Sequence, residues 1–243
     1  MPLAELSPAS SLRPFDEADD TITYPVDVVL SLHRERTAAL LRTLRSQHVF
    51  PTLIHGWGAE RAYSTLLHAR QGSLTVLDVP DGRWDETLAQ RVRALSNLSA
   101  VVVLTPEGSD PAPLLLAGAA NVMSRTAPSR ELAGRIAAER RWLDSRRPGR
   151  GAPVYAPGGH PLRPRQSSQA LLLDMLCLAA RPWCCHELRL LLGPVDRPMS
   201  RRALQARIAR LDERLSRAGL YVNCSTQRGR TLLLGLSDGH DGA

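Results

Sequence analysis

The sequence predicts an α/β protein: a doubly wound parallel sheet, followed by a smaller unit of three helices and a hairpin. Three observations carry that prediction. From residue 25 onward, short apolar runs alternate with amphipathic stretches of helical length. The runs are continuously apolar rather than alternating, as strands of a parallel sheet covered on both faces require. Past a stretch rich in Pro, Gly and Arg the pattern turns helical, then closes on two runs around Gln227-Arg228-Gly229-Arg230.

Residues 1–23 are rich in Pro, Ser and acids, lack periodicity, and read as a flexible extension. Residues 24–144 form the first predicted domain. Pro25–Leu32 (PVDVVLSL) is its first strand, and Arg34–Ser46 a helix with Ala38, Leu41 and Leu44 on one face. Phe50–His55 is a short strand and Ala59–Ala69 a helix. Leu74–Leu77 is a strand that stops at Asp78, after which Val79-Pro80-Asp81-Gly82 turns away. Trp84–Leu95 is a helix with Leu88, Val92 and Leu95 in register. Ala100–Leu104 is a buried strand ending at Thr105, Pro113–Gly118 a short apolar helix, Asn121–Met123 a strand, and Ser129–Leu143 a helix.

Residues 145–166 (SRRPGRGAPVYAPGGHPLRPRQ) read as a linker, with a short strand near Val154–Tyr155. The second predicted domain covers 167–236, with helices at Ser167–Ala180, Cys185–Leu192 and Ser200–Ala218 and strands at Leu220–Asn223 and Thr231–Leu236. Residues 237–243 are a flexible tail. Three helices followed by a hairpin with an arginine tip is the plan of a winged helix-turn-helix.

Charge separates the two domains. All 31 basic residues are Arg. Residues 1–145 hold 15 Arg against 17 acids, whereas residues 146–236 hold 16 Arg against 5 acids, a net of +11. A domain this basic predicts a polyanionic partner, double-stranded DNA in the first instance. No apolar run reaches the roughly 20 residues that span a bilayer, so no membrane is expected. The N-terminus has no basic region followed by an apolar stretch, which predicts a cytoplasmic protein. The four cysteines lack metal-site spacing and read as buried thiols, with no metal and no cofactor.

The longest arginine-rich helix carries its apolar residues, Ala203, Leu204, Ile208, Leu211 and Leu215, in one stripe. Arg201, Arg202, Gln205, Arg207, Arg210 and Arg214 fall beside or opposite it, with only Asp212 and Glu213 to offset them. In a major groove, Arg can read guanine and Gln adenine. Arg228 and Arg230 at the hairpin tip can reach phosphates or the minor groove. These eight residues are the candidate DNA contacts.

Two stretches resemble the OmpR/PhoB subfamily of response regulators, in which a receiver domain precedes a winged helix. Ala117–Ile136 (AGAANVMSRTAPSRELAGRI) is similar to that family's A-G-A-D-D-Y-L-x-K-P-F-x-x-x-E-L-x-x-R-I. Arg202–Leu215 and Thr226–Gly229 are similar to its R-x-V-D-x-x-I-x-R-L-R-x-K-L and T-V-R-G. The resemblance runs from 25 to 236. It implies a flavodoxin-like receiver fold, with Asp78 at the phosphoacceptor position, Thr105 at the switch hydroxyl and Arg125 in place of the family's lysine. It further implies a homodimer and contact with RNA polymerase through the loop Gly193–Pro198.

The departures are chemical. The family's acidic pair after the first strand falls at Ser31 and Leu32, neither a carboxylate. Mg²⁺ wants oxygen ligands, and a transferring phosphoryl group needs its charge neutralised. The expectation is a degenerate receiver that works without phosphorylation, its Asp78 site vestigial and paired with Arg125. Its input would be a small-molecule ligand, a partner or nothing. The family's Pro-Phe becomes Thr126-Ala127, its aromatic switch Val122, and its interface acid Asn121, while Arg135 is kept. The chain from Thr105 to Gly118 is also shorter than the resemblance implies. The function expected is transcription regulation and not catalysis. The alternatives are a flavodoxin-like enzyme, for which no Gly-rich phosphate loop follows any strand, and an interaction module with a basic appendage.

Overall fold

The computed structural model describes residues 25–32, 34–69, 72–80, 86–145, 166–179, 181–227 and 230–238. The expected extension, the strand near Val154–Tyr155, most of the linker, the residues past 238 and Arg228 lie outside them.

Buried apolar runs form the strands. β1 (Val26–Ser31), β2 (Pro51–Gly56), β3 (Leu74–Asp78), β4 (Ala100–Thr105) and β5 (Asn121–Ser124) make one parallel sheet in the order β2-β1-β3-β4-β5. This order is that of flavodoxin-like folds, in which ligands sit beyond the carboxyl ends of the strands. Between the strands run α1 (Arg34–Arg45), α2 (Glu60–His68), α3 (Glu86–Leu95) and α4 (Ala112–Leu116), and α5 (Ser129–Ser145) follows β5.

The sheet is covered on both faces. Val26, Val29 and Val76 pack with Leu40 and Leu44 of α1 and Leu132 and Ile136 of α5. Val28, Leu30, Leu77 and Val103 pack with Leu66 of α2 and Leu88, Val92 and Leu95 of α3. The α3 stripe is the one the sequence predicts. In α1 the stripe is Thr37, Leu40 and Leu44, while Ala38 is exposed and Leu41 half-buried. Of the expected stripe Leu44 therefore stays, while the two positions before it fall one residue earlier, at Thr37 and Leu40. At the amino edge of the sheet Arg140 ties three segments together. Its guanidinium donates to the carbonyls of Pro25 (3.1 Å) and Gly72 (3.0 Å) and to the Asp27 carboxylate (3.0 Å).

The C-terminal part comprises α6 (Ser167–Leu178), β6 (Trp183–Cys184), α7 (Cys185–Leu192), α8 (Arg201–Ser216), β7 (Leu220–Gln227) and β8 (Arg230–Asp238). Its three strands form an antiparallel sheet in the order β6-β8-β7. The strand β6 is absent from the sequence expectation, since two residues are too short to show a period. Both hairpin strands are longer than expected, pairing from Leu220↔Asp238 to Gln227↔Arg230. Ser200 caps α8 by accepting the Ala203 amide at 3.1 Å. Gly219, at φ +74°, makes the left-handed turn that releases the chain into β7.

The two parts share a core. The cluster under α2 and α3 continues without a break through Leu171, Leu172 and Met175 of α6, Leu188 and Leu191 of α7, and Leu204, Leu211 and Leu215 of α8. Among the described residues no helix is long and apolar enough to cross a membrane.

Candidate functional site

The carboxyl edge of the sheet brings Asp78, Thr105 and Arg125 together. Asp78 ends β3 at 1% exposure and Thr105 ends β4 at 3%. Arg125 follows β5, and its amide donates to the Thr105 carbonyl at 2.8 Å, which fixes where its side chain starts. From there Nε reaches Asp78 Oδ1 at 2.9 Å. The expected ion pair is thus present, buried and charge-assisted. The Thr105 hydroxyl donates to the Met123 carbonyl at 3.3 Å.

What surrounds Asp78 limits its chemistry. Ser31 is its direct neighbour on β1, and Leu32 donates its amide to the Asp78 carbonyl at 3.2 Å. Both are buried, and neither brings a carboxylate. Asp27 lies at the opposite end of β1, bound to Arg140. One acid that sequence reasoning missed reaches this edge: Glu107, in the β4–α4 loop, accepts from the Thr126 hydroxyl at 3.3 Å. Its signal was available, as an acid two residues past a buried strand. Among the described residues no group of three His, Cys, Asp or Glu can hold a metal.

On the expected dimer face, Asn121 donates to Glu139 at 2.8 Å, and Arg135 pairs within its own helix with Glu131 at 2.8 Å. Leu115 and Leu116 of the short α4 and Trp142 of α5 are exposed there.

The arginines of α8 divide into two groups. Arg201, Arg202, Gln205, Arg210 and Arg214 are exposed, whereas Leu204, Leu211 and Leu215 face inward. Ala203, counted with the apolar stripe in the sequence, is exposed. Arg207 is set apart: it is half-buried and turned toward Glu60 of α2, Nη1 to Oε1 3.8 Å. At the tip of the hairpin, Arg230 opens β8 opposite Gln227.

Between α7, α8 and the hairpin lies a cavity of about 460 Å³, floored by Leu204, Ile208 and Leu233 and rimmed by Arg201, Gln205 and Cys224. The thiols are less buried than expected: Cys177, Cys184 and Cys185 are half-buried and Cys224 is exposed. Cys184 and Cys224 lie two strands apart across β8. At about 4.8 Å per strand that separation is too wide for a disulfide.

Sequence reasoning also missed the seam between the two parts. Trp57, just past β2, is buried, and its indole Nε1 donates to the Leu190 carbonyl at 2.8 Å. Arg91 of α3 stacks on the Trp57 ring, 5.1 Å from its centroid, and donates to the Val195 carbonyl. The buried amide of Asn97 accepts from the Arg181 amide at 2.9 Å and donates to the Arg181 carbonyl at 3.0 Å. The loop Gly193–Pro198, expected to meet a polymerase, is therefore partly covered. Gly193 is buried and Val195 half-buried, while Pro194 and Arg197 remain exposed.

No family model matches this chain, and no curated protein does. One solved structure it is similar to is described as a novel family of redox sensors in the streptococci, evolved from two-component response regulators. The similarity covers 87% of this chain and 98% of that one, at 16% identity and a TM-score of 0.32. A likeness this loose carries no argument about function.

Proposed function

We propose that the chain is a DNA-binding transcriptional regulator of the OmpR/PhoB kind, in which the α/β part, residues 24–144, is a receiver that does not use phosphorylation. The observation that carries the DNA reading is the outer face of α8. Five long polar side chains, four of them cationic, stand exposed on one helix whose opposite face is locked into the core. A helix so held can be presented to a groove as a rigid element. The rest of residues 167–236 supports a winged helix: three helices, a three-stranded antiparallel sheet and a hairpin whose second strand opens at Arg230. The partner is double-stranded DNA, and the protein acts as a homodimer through the α4–α5 face.

The reading of the receiver rests on Asp78. Its carboxylate already holds a guanidinium where an incoming phosphoryl group and its metal would have to go. Ser31 and Leu32 supply no charge to replace that metal. The pair holds the carboxyl edge in one arrangement, and the protein reaches its target without a phosphate signal.

Fluorescence anisotropy of the full chain on genomic fragments selected by binding tests this. Binding should weaken steeply with salt, and Arg202→Ala and Arg210→Ala should each lower the slope of log K against log salt by about one. Salt-independent binding, or none at low salt, refutes it.

A further inference from the structure

We propose that the cavity between α7, α8 and the hairpin is a binding site for a small carboxylic acid with an apolar body, and that the bound acid takes Arg201 and Gln205 away from DNA. The second half rests on the DNA-binding reading above; the site itself does not.

The cavity lies within the C-terminal part. Its volume of about 460 Å³ is that of a small-molecule site, and so is its lining, an apolar floor with a few polar groups. Leu204 and Leu233, each 1% exposed, are joined there by the half-buried Ile208 and Val222. Along α8 the helical period sets the border. Arg201, Gln205, Ala209 and Asp212 recur at spacings of four, four and three, so one edge of the helix follows the cavity for about three turns. The facing wall carries a break in the sheet. The pairing of β7 with β8 shifts register between Asn223 and Cys224, and Gly235, opposite Asn223, takes φ +125°, which a side chain resists. Bulges re-aim side chains beside sites, and Cys224 is among the residues that line this cavity.

The charges decide what the cavity takes. Arg189 and Arg201 both line it, close enough to Cys185 to act on its thiol. Arg189 is held in place: its Nε donates to the Met199 carbonyl at 2.7 Å, and its own carbonyl accepts from the Met199 amide at 2.9 Å. Among the described residues neither guanidinium has an acid as its ion-pair partner. Asp212 is committed elsewhere. Its Oδ1 accepts the Val222 amide at 2.8 Å, and it stands roughly 16 Å along α8 from Arg201, at 1.5 Å per residue. Two guanidiniums beside an apolar floor match a carboxylate, which accepts their fork of donors, on an apolar body. The thiols suit the same ligand. Burial pushes Cys185 up, with Cys184 and Cys224 adding and Arg201 and Arg189 opposing. Burial also raises Cys224, with Asp212 adding. Thiols that stay protonated are soft apolar lining and do not repel an anion.

The acid and DNA want the same side chains. Arg201 and Gln205 are exposed on the rim and belong to the face of α8 offered to a groove. A carboxylate held by Arg201 draws that side chain to the cavity, so each ligand weakens the other by the same factor.

Titration calorimetry of the full chain with 2-naphthoate and with decanoate tests the site. At least one should bind with a dissociation constant of about 1 mM or tighter. The uncharged 2-naphthalenemethanol should bind about tenfold more weakly than 2-naphthoate, the scale of hydrogen bonds to a charged group. Arg201→Gln should remove that advantage, and Arg217→Gln, exposed on the same helix and outside the lining, should not. Ala209→Trp fills the cavity from its exposed rim and should abolish binding of both acids. Failure of both acids to bind at about 5 mM overturns the site, as does equal affinity for the naphthoate and the alcohol, or binding that survives Ala209→Trp. Saturating acid should weaken DNA binding about fivefold or more. Unchanged DNA affinity, when DNA itself binds well, overturns the competition. If the acids bind as expected and no form binds DNA, the site stands and the DNA reading fails.

Discussion

The Asp78–Arg125 pair can be tested quantitatively. Nε and Oδ1 are 2.9 Å apart, with the two side chains 19% and 2% exposed. At an effective dielectric near 20, two unit charges at that distance attract by about 6 kcal/mol. Desolvation of Asp78 cancels much of this, so the pair as a whole is near neutral against an apolar replacement. Removing one partner is different, because it strands the other. Arg125→Met leaves the Asp78 carboxylate buried without its guanidinium and should cost about 3–5 kcal/mol. Asp78→Asn keeps the shape, strands Arg125 less completely because that residue is better solvated, and should cost roughly 1–3 kcal/mol. The double variant should cost less than Arg125→Met alone, giving a coupling of about 2 kcal/mol or more. Urea unfolding followed by circular dichroism at neutral pH measures all four proteins. Two single losses below about 1 kcal/mol that simply add would mean that the pair does not hold this edge.

Three further outcomes are expected. Incubation with a small phosphodonor and Mg²⁺ should leave the intact mass unchanged; an added phosphoryl group that Asp78→Asn abolishes would return the site to ordinary receiver chemistry. Tyr63 is fully buried and its hydroxyl accepts from the Gly58 amide at 3.0 Å, and burial pushes its pKa far above the usual 10. The unfolded state then loses that proton first, so the Tyr63 contribution to stability should be constant below pH 10 and fall above it by up to about 1.4 kcal/mol per pH unit. Alkaline melts should show the fall, and Tyr63→Phe should lack this component. Burial pushes Cys177 up to about 11, with the Asp174 charge adding to it. Timed alkylation at pH 8 with peptide mapping should therefore find the exposed Cys224 modified well before Cys177, and the reverse order would contradict that burial.

Much of the fold was legible because it is written in local periods. Continuous apolar runs such as AVVVL at 100–104 became the central strands, and Leu88, Val92 and Leu95 faced the core as their spacing required. In α1 the expected face named Ala38 and Leu41, and the buried positions are Thr37 and Leu40, because a threonine is not counted when a stripe is drawn from apolar residues alone. β6 was invisible because its pairing with Leu232 and Leu233 is long-range and only two residues deep. At the carboxyl edge, Asp78, Thr105 and Arg125 were legible because strand ends in a parallel sheet converge. The seam was not. Trp57, Arg91 and Asn97 each look ordinary in sequence, and their partners lie 84 to 133 residues away. The one clue was Arg91, a charge inside the apolar register of α3 beside Leu88 and Val92. Arg207 fell into the same blind spot: the helical wheel places it near the stripe, but only the packed α2 shows that Glu60 stands opposite.

The long reach of the Trp57 contact sets a schedule for synthesis. Leu190 leaves the ribosome 133 residues after Trp57. At about 5–20 residues per second, roughly 7 to 27 s pass before the indole meets its acceptor, and the sheet, complete only once α5 has been made, waits uncovered for the last part of that interval. For that interval the apolar face of α2 and α3, with the Trp57 indole among it, is open to whatever is nearby. Apolar surface exposed in this way is prone to aggregate until α7 arrives. Truncation anywhere before residue 190 would make that brief exposure permanent.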